Sequence, residues 1–387
     1  MTVPASLEHR IDAVIDEAIT TGRIVGTVVM VNRNGSLIYA RAAGHADREA
    51  GIPTSTDTLF RLGSLAKPLT ACTALALWER GRIQLDDPVT RFLPDFTPAL
   101  ADGRSPTITI RHLLTHTAGM AYPSPVPGDS YHAAKVSGGL DQPGLSMEEN
   151  LARIASATLY STPGSVWRYS VAIDILGAVI AAVHGGTLAE AVGEFVTGPL
   201  GMSDTDFVVR DRERLAVAYA DGTPTAVRMH EPHVFGADTM SPGAFSPARI
   251  FDERSFQSGG AGMAGTAGDY MIFLETLRTG GGPVLQPETV AMAFSNQIGD
   301  LRQRDEPGWG FGFFSGVMTD AFLANSPGST GTILWGGVWG NGWFVDPAAG
   351  LTVCSFSNTA LEGCLGGYPR DIWSSAVAAT QFQPPAS

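Results

Sequence analysis

The sequence predicts an α+β protein in which one antiparallel sheet, flanked by helices, is built from both ends of the chain around a large helical insert. Three observations carry this. Residues 25–31 and 37–42 are largely apolar, the first stretch rich in β-branched residues, and Asn34-Gly35 between them is a strong hairpin signal. From about residue 83 to 286 the pattern turns helical and loop-rich, punctuated by proline and glycine. Strand-like segments then return at 333–335, 342–345 and 351–356. The corresponding division is residues 1–82 with 287–387 as an α/β domain and 83–286 as a mainly helical insert, with an active site between them.

The elements follow in order. Residues 5–21 intersperse Leu7, Ile11, Val14, Ile15, Ala18 and Ile19 with charges at helical spacing, an amphipathic helix and not the continuous apolar core of a signal peptide. After the hairpin, Gly63-Ser64 opens a helix over 65–80. Pro68 is tolerated there only within the first turn, where backbone N–H groups lack helical partners anyway. Helices are predicted at 110–114, 147–157, 171–183, 188–196 and 269–277, with Pro123-Ser124-Pro125-Val126-Pro127-Gly128 as a loop. Thr266-Ala267-Gly268-Asp269 has the form of a capping box. Asp346-Pro347-Ala348-Ala349-Gly350 turns the last two strands, and 371–380 is a closing helix.

Composition narrows the function. Of 387 residues, 44 % are hydrophobic and 16 % charged, a globular balance, and the formal charge of −13 argues against nucleic acid or an anionic membrane as partner. Cys72, Cys354 and Cys364 form neither a disulfide framework nor a metal cluster by spacing, and Cys72 lies in an apolar run as a small buried hydrophobe. The longest apolar run, 175–183, is too short to span a bilayer. The expectation is a cytoplasmic protein with no cofactor, no metal and no membrane or nucleic-acid partner.

The chemistry centres on Ser64-Leu65-Ala66-Lys67. Lys67 and Lys135 are the two lysines among 25 basic residues, leaving 23 arginines. Arginine stays protonated in proteins, whereas a lysine can release its proton and act as a base. A serine three residues earlier shares the helix face and brings its hydroxyl within reach of the amine. At a helix start, exposed amides and the positive dipole end also face a developing oxyanion. The pair is therefore a candidate activated nucleophile; the plain alternative is a capping serine and a surface lysine. In Trp167-Arg168-Tyr169-Ser170, Ser170 is a natural N-cap for the helix at 171–183. That leaves Tyr169 beside a helix start as a candidate proton shuttle. In Leu334-Trp335-Gly336-Gly337-Val338-Trp339-Gly340, paired glycines within a strand signal close approach of a ligand or another backbone, or a bulge.

These elements, in this order, resemble the serine β-lactamase and penicillin-binding-protein superfamily, whose first motif is Ser-x-x-Lys. Tyr169-Ser170-Val171 falls where class C β-lactamases carry Tyr-x-Asn, and Trp335-Gly336-Gly337 where they carry Lys-Thr-Gly. Residues 110–119, 257–263 and 308–312 are similar as well, so the resemblance covers roughly residues 8 to 380. It is nearest to the family VIII carboxylesterases, where Trp-Gly-Gly is typical. The resemblance implies that Ser64 attacks an ester carbonyl while Lys67 and Tyr169 take its proton. It implies an oxyanion hole from the backbone N–H groups of Ser64 and Val338. Trp335, Gly336 and Gly337 would line the substrate site, with Tyr122 beside them.

The departures point to esters. A Lys-Thr-Gly motif grips a substrate carboxylate, and Trp335 and Gly336 offer neither cation nor hydroxyl. An aromatic wall suits an uncharged acyl or alcohol group. Absence of Gly-x-Ser-x-Gly removes the α/β-hydrolase alternative. Two rivals remain: a β-lactamase or D-amino-acid peptidase or amidase, and a non-catalytic ligand-binding sensor. His112 and His116, spaced i, i+4, lack the glutamate of a HExxH zinc site. His230-Glu231-Pro232-His233 reads as a loop, and Gly259-Gly260-Ala261-Gly262 lacks the Gly-Lys-Ser/Thr of a phosphate loop.

Overall fold

Asn34 and Gly35 adopt φ of 50° and 84°, the doubly left-handed pair that a tight hairpin turn needs. In the computed structural model, which describes residues 6–236, 239, 241–303 and 306–381, this turn joins β1 (Gly26–Arg33) to β2 (Ser36–Asp47). Six further strands complete an eight-stranded antiparallel sheet: β3 (Ile52–Pro53), β4 (Trp309–Phe311), β5 (Gly316–Met318), β6 (Ile333–Gly337), β7 (Asn341–Asp346) and β8 (Leu351–Ser357). Their order is β4-β5-β6-β7-β8-β1-β2-β3, so the first long strand pairs with the last. The sheet built from both chain ends is the one the sequence predicts. β4 and β5 are additions at its edge, three residues each.

Period-two alternation assigns the faces. Val29 and Val31 of β1 and Leu351 and Val353 of β8 join Ile11 and Ile15 of α1 (Leu7–Thr20) in one core. Val28, Cys354 and Phe356 point the other way, into the main core with Leu69 of α2 (Ala66–Glu79) and Ile175 of a later helix. Covered on both faces, β7 and β8 are buried at every position. α1 follows the predicted amphipathic helix, with Ala5 lying outside the described residues. Its four buried residues contribute about 1.5–3 kcal/mol for each large side chain removed from water.

Between the sheet halves come α3 (Ile110–Leu114), α4 (Met147–Ser156), α5 (Ala172–His184), α6 (Leu188–Val192) and α7 (Ala267–Arg278); α8 (Gly367–Gln381) closes the chain on the α1 side. The predicted helix at 188–196 continues from α6 as a π turn over Gly193–Thr197. α7 packs on β1 and β8, so the segment 83–286 also supplies a layer over the sheet. Short ribbons stand in the same segment: Tyr219–Ala220 with Val227–Arg228, and His233–Phe235 with Gly243–Phe245. The capping box at Thr266 is half made. Thr266 accepts from the Asp269 amide, but the Asp269 carboxylate turns to the Asp204 amide and the Thr205 hydroxyl. No single helix among the described residues is long and apolar enough to cross a membrane; α5 and the segment 188–200 pass by composition only as a pair bent by 82°.

Candidate active site

A 3-10 turn, Gly63–Leu65, feeds directly into α2 and places Ser64 at the helix entrance. Gly63 takes φ of +54°, a conformation that costs little only for glycine. Twelve of the fourteen α2 residues are buried, so the helix is a fixed mount for Lys67. Ser64 is 7 % exposed and Lys67 3 %. Lys67 Nζ donates to Ser64 Oγ at 3.2 Å and to the Gly260 carbonyl at 2.6 Å. The nucleophile and its amine are therefore in direct contact.

The Gly260 loop is itself anchored by a residue that sequence reasoning missed. Asp174, in the first turn of α5, is fully buried. Its Oδ1 accepts from Ser258 Oγ at 2.5 Å and from the Gly260 amide at 3.1 Å, while Thr70 Oγ donates to the Gly259 carbonyl at 2.9 Å. Asp174 and Lys67 thus grip opposite ends of one glycine, whose Cβ, if present, would stand 2.9 Å from Asp174 Oδ2. Burial pushes the Asp174 carboxyl pKa up, opposed by the Ser258 hydrogen bond and the Lys67 charge. Asp174 is the sole carboxylate in the run Ala172–His184.

Tyr169 precedes α5 and presents its ring 4.7 Å from Lys67 Nζ. The N-cap position is Val171, one residue later than predicted, and the Ser170 hydroxyl faces His116 Nδ1 at 3.4 Å as well as the Ala172 amide. Tyr122 lies 5.3 Å from the Tyr169 ring and 5.5 Å from Lys67 Nζ. Burial, then the neighbouring Tyr169 and Asp174, hold the Tyr122 phenol well above its ordinary pKa, so it stays a neutral donor. His116 packs at 4.8 Å from the Tyr169 ring, and burial and the Lys67 charge keep its imidazole neutral. α3 ends at Leu114, before His116, which turns at φ +55°, so His112 and His116 do not share a helix face.

Trp335 on β6 completes an aromatic wall. It is 8 % exposed and lies 5.3 Å from both Tyr169 and Phe311, the latter on edge strand β4. Phe311 is a second site residue absent from the sequence reading, since only the sheet edge brings it here. Gly337 lets β6 close on the nucleophile turn: a Cβ there would fall 2.1 Å from the Leu62 carbonyl oxygen. The Val338 nitrogen sits 3.4 Å from a Cβ built on Gly63. The Gly337 carbonyl accepts from the Gly340 amide at 2.9 Å, which fixes the peptide that carries the Val338 N–H. At Gly336 the space of a side chain is taken by Cys364 Sγ, 2.6 Å from the ideal Cβ position. Ser64, Lys67, Tyr169, Tyr122, Trp335, Gly337 and Val338 therefore converge, while Gly336, expected to line the same site, turns its open side to Cys364. His230 and His233 pack against each other at 6.4 Å, with His233 on Phe235, in a separate ribbon.

This arrangement provides a nucleophile, an adjacent amine and phenol, backbone donors and an apolar wall, the parts of an acyl-transfer site. Known proteins are similar over the whole chain. A family model described as beta-lactamase matches residues 11–366. Esterase EstB of Burkholderia gladioli is 47 % identical over 370 residues, 94 % of this chain and 93 % of that protein. The solved structure of EstCE1, described as a hydrolase with promiscuous acyltransferase activity, superposes with a TM-score of 0.91 at 42 % identity, covering 96 % of this chain and 98 % of its own. Simvastatin synthase (LovD) from Aspergillus terreus shares the fold at 24 % identity, with a TM-score of 0.75 and coverage of 98 % and 99 %.

Proposed function

The chain belongs to the beta-lactamase family, and on that premise we propose that it is a serine carboxylesterase that cleaves short-chain, uncharged esters through an acyl-Ser64 intermediate. Its likeness to EstB and EstCE1 supports the ester-hydrolase class. The observation that carries the mechanism is the 3.2 Å contact between Lys67 Nζ and Ser64 Oγ. Ser64 attacks the ester carbonyl and passes its proton to the Lys67–Tyr169 pair. The tetrahedral oxyanion rests on the Ser64 and Val338 amides, and the pair then protonates the departing alkoxide. In the second half, the same pair takes a proton from water as it attacks the acyl-serine, and Ser64 recovers its proton as the acid leaves. Trp335 walls the acyl or alcohol side where a charged substrate would need a cation.

The substrate is a small-molecule ester. Cytoplasmic residence is part of the proposed reading. Incubation with p-nitrophenyl acetate and butyrate, followed by intact-mass spectrometry and p-nitrophenol release, tests the mechanism. The expected result is turnover with any acyl adduct mapping to Ser64, and its loss in Ser64→Ala by at least about 10³-fold. Retained turnover in Ser64→Ala overturns the mechanism. Faster turnover of nitrocefin than of the acetate overturns the substrate class.

A further inference from the structure

Next to the loop that receives Lys67 lies a cavity of about 20 Å³, walled by Arg61, Ser246, Arg249, Gly262, Met263 and Trp339. A void of roughly 10–15 Å³ by this measure holds one water-sized particle, so this one admits a single water or monatomic ion and nothing larger. Two of its wall residues are cationic. Arg61 donates from Nε and Nη2 to the Pro247 carbonyl at 3.0 and 2.6 Å and from Nη1 to the Ala216 carbonyl at 2.9 Å. Arg249, 6 % exposed, donates from Nε to the Asp141 carbonyl at 3.1 Å and from Nη2 to the Phe256 carbonyl at 2.6 Å. These acceptors are all neutral backbone oxygens. With five N–H groups on each guanidinium, donors are left over on both.

Among the described residues, carboxylates act on the two arginines from a distance: Glu231 on Arg61, and Asp174, Asp141 and Asp252 on Arg249. Glu231 itself is engaged by the Ala248 amide at 2.7 Å. Burial pulls the Arg61 guanidinium down to about 10 and lowers that of Arg249 as well, the direction that incomplete charge compensation produces. Ser246, 2 % exposed, lines the same cavity, and its hydroxyl is buried without a hydrogen-bond partner. A neutral water satisfies the hydroxyl but leaves the charge; a small anion does both.

We propose that this cavity binds one monatomic anion of the chloride or bromide class, held between the Arg61 and Arg249 guanidiniums and the Ser246 hydroxyl. The site is distinct from the ester site yet mechanically tied to it. Arg61 lies three residues before Ser64, and Ala261, Gly262 and Met263 follow the Gly260 that receives Lys67. A bound anion would tie the strand before the nucleophile to the loop that positions its amine.

Two measurements on the full chain test this. Crystals grown in sodium bromide are expected to show an anomalous peak in this cavity, within hydrogen-bond reach of both guanidiniums. As chloride replaces gluconate at constant ionic strength, the melting temperature is expected to rise and saturate, since gluconate cannot enter so small a space. Ser246→Ala, which leaves both arginines in place, should raise the half-saturating chloride concentration roughly tenfold, the loss of one hydrogen bond to an ion. Absence of the bromide peak, or melting that is the same in chloride and gluconate, overturns the proposal and assigns the cavity to water.

Discussion

At position 336 the room that a side chain would need is already taken. A threonine there, as in a Lys-Thr-Gly motif, would bring its Cβ to 2.6 Å from Cys364 Sγ and 3.3 Å from the Asn341 carbonyl. Trp335→Lys/Gly336→Thr is therefore expected to lose ester turnover without gaining nitrocefin hydrolysis, and adding Cys364→Ala should restore part of the lost stability. Thermal melts and paired ester and nitrocefin assays check both halves; efficient nitrocefin turnover by the double variant would refute the steric account. Asp174 gives a prediction of opposite sign for stability and activity. Its folded pKa is raised by burial, so the stability that it contributes is present in acid and lost as pH rises through the folded value. Asp174→Asn keeps an acceptor for Ser258 and Gly260 while removing the charge. Its stability should match the parent near pH 4 and exceed it increasingly toward pH 8, as measured by urea unfolding at each pH. Turnover should fall by about tenfold or more, because Lys67 loses the carboxylate across the Gly260 peptide. That Ser64, Lys67 and Tyr169 stand together was legible in the sequence, because a lysine in an arginine-rich chain stands out. Asp174 was not, since its partners are a serine and a backbone amide more than 80 residues away.

Among the elements, the approach of β6 to the Gly63–Leu65 turn would set the geometry of the proposed oxyanion hole. Gly337→Ala forces a methyl to 2.1 Å from the Leu62 carbonyl, and the neighbour is backbone, which cannot swing aside. The strand must retreat and take the Val338 amide with it. The expected cost is about 1–3 kcal/mol of stability from overpacking and about 10²–10³-fold in kcat, the effect of losing one oxyanion donor. Steady-state kinetics on p-nitrophenyl butyrate, with KM nearly unchanged, would carry that signature; near-parental kcat would show that Val338 is not such a donor. The same element scale explains which structure could be read in advance. The turns at Asn34-Gly35 and Asp346–Gly350 announce themselves because their chemistry is local: left-handed residues in one, an Asp346 side chain accepting from the Ala349 amide in the other. β4 and β5 did not, because three-residue strands hold no periodicity and exist only through pairing with each other and with β6. Phe311 entered the site unseen for that reason.

Across the whole molecule, the sheet closes through β1 and β8, which pair over seven residues from Thr27–Ser357 to Arg33–Leu351. This juxtaposition of the two chain ends was readable in the sequence because strand-like patterns flank a long helical stretch. We propose that the two parts, residues 1–82 with 287–387 and residues 83–286, are topological lobes and not separately folding units. What supports this is the main core, a single apolar cluster that includes Val28, Trp343 and Phe356 from the sheet together with Leu113, Ile175, Val179, Phe195 and Phe273 from the intervening segment. An interface so apolar and so continuous leaves the intervening segment no core of its own, while the sheet keeps a second one only on its far face, against α1 and α8. Unfolding should accordingly be one transition. In a urea titration, the fluorescence of tryptophans such as Trp343 within the sheet, far-UV circular dichroism dominated by the helices, and residual esterase activity are expected to share one midpoint and one slope. A helical signal persisting past the loss of tryptophan fluorescence would instead mean that 83–286 holds its own core. The candidate active site, with Ser64 on the Gly63–Leu65 turn, Lys67 on α2, Tyr169 and Asp174 at the start of α5 and Trp335 on β6, would then sit across a boundary that opens before either side unfolds.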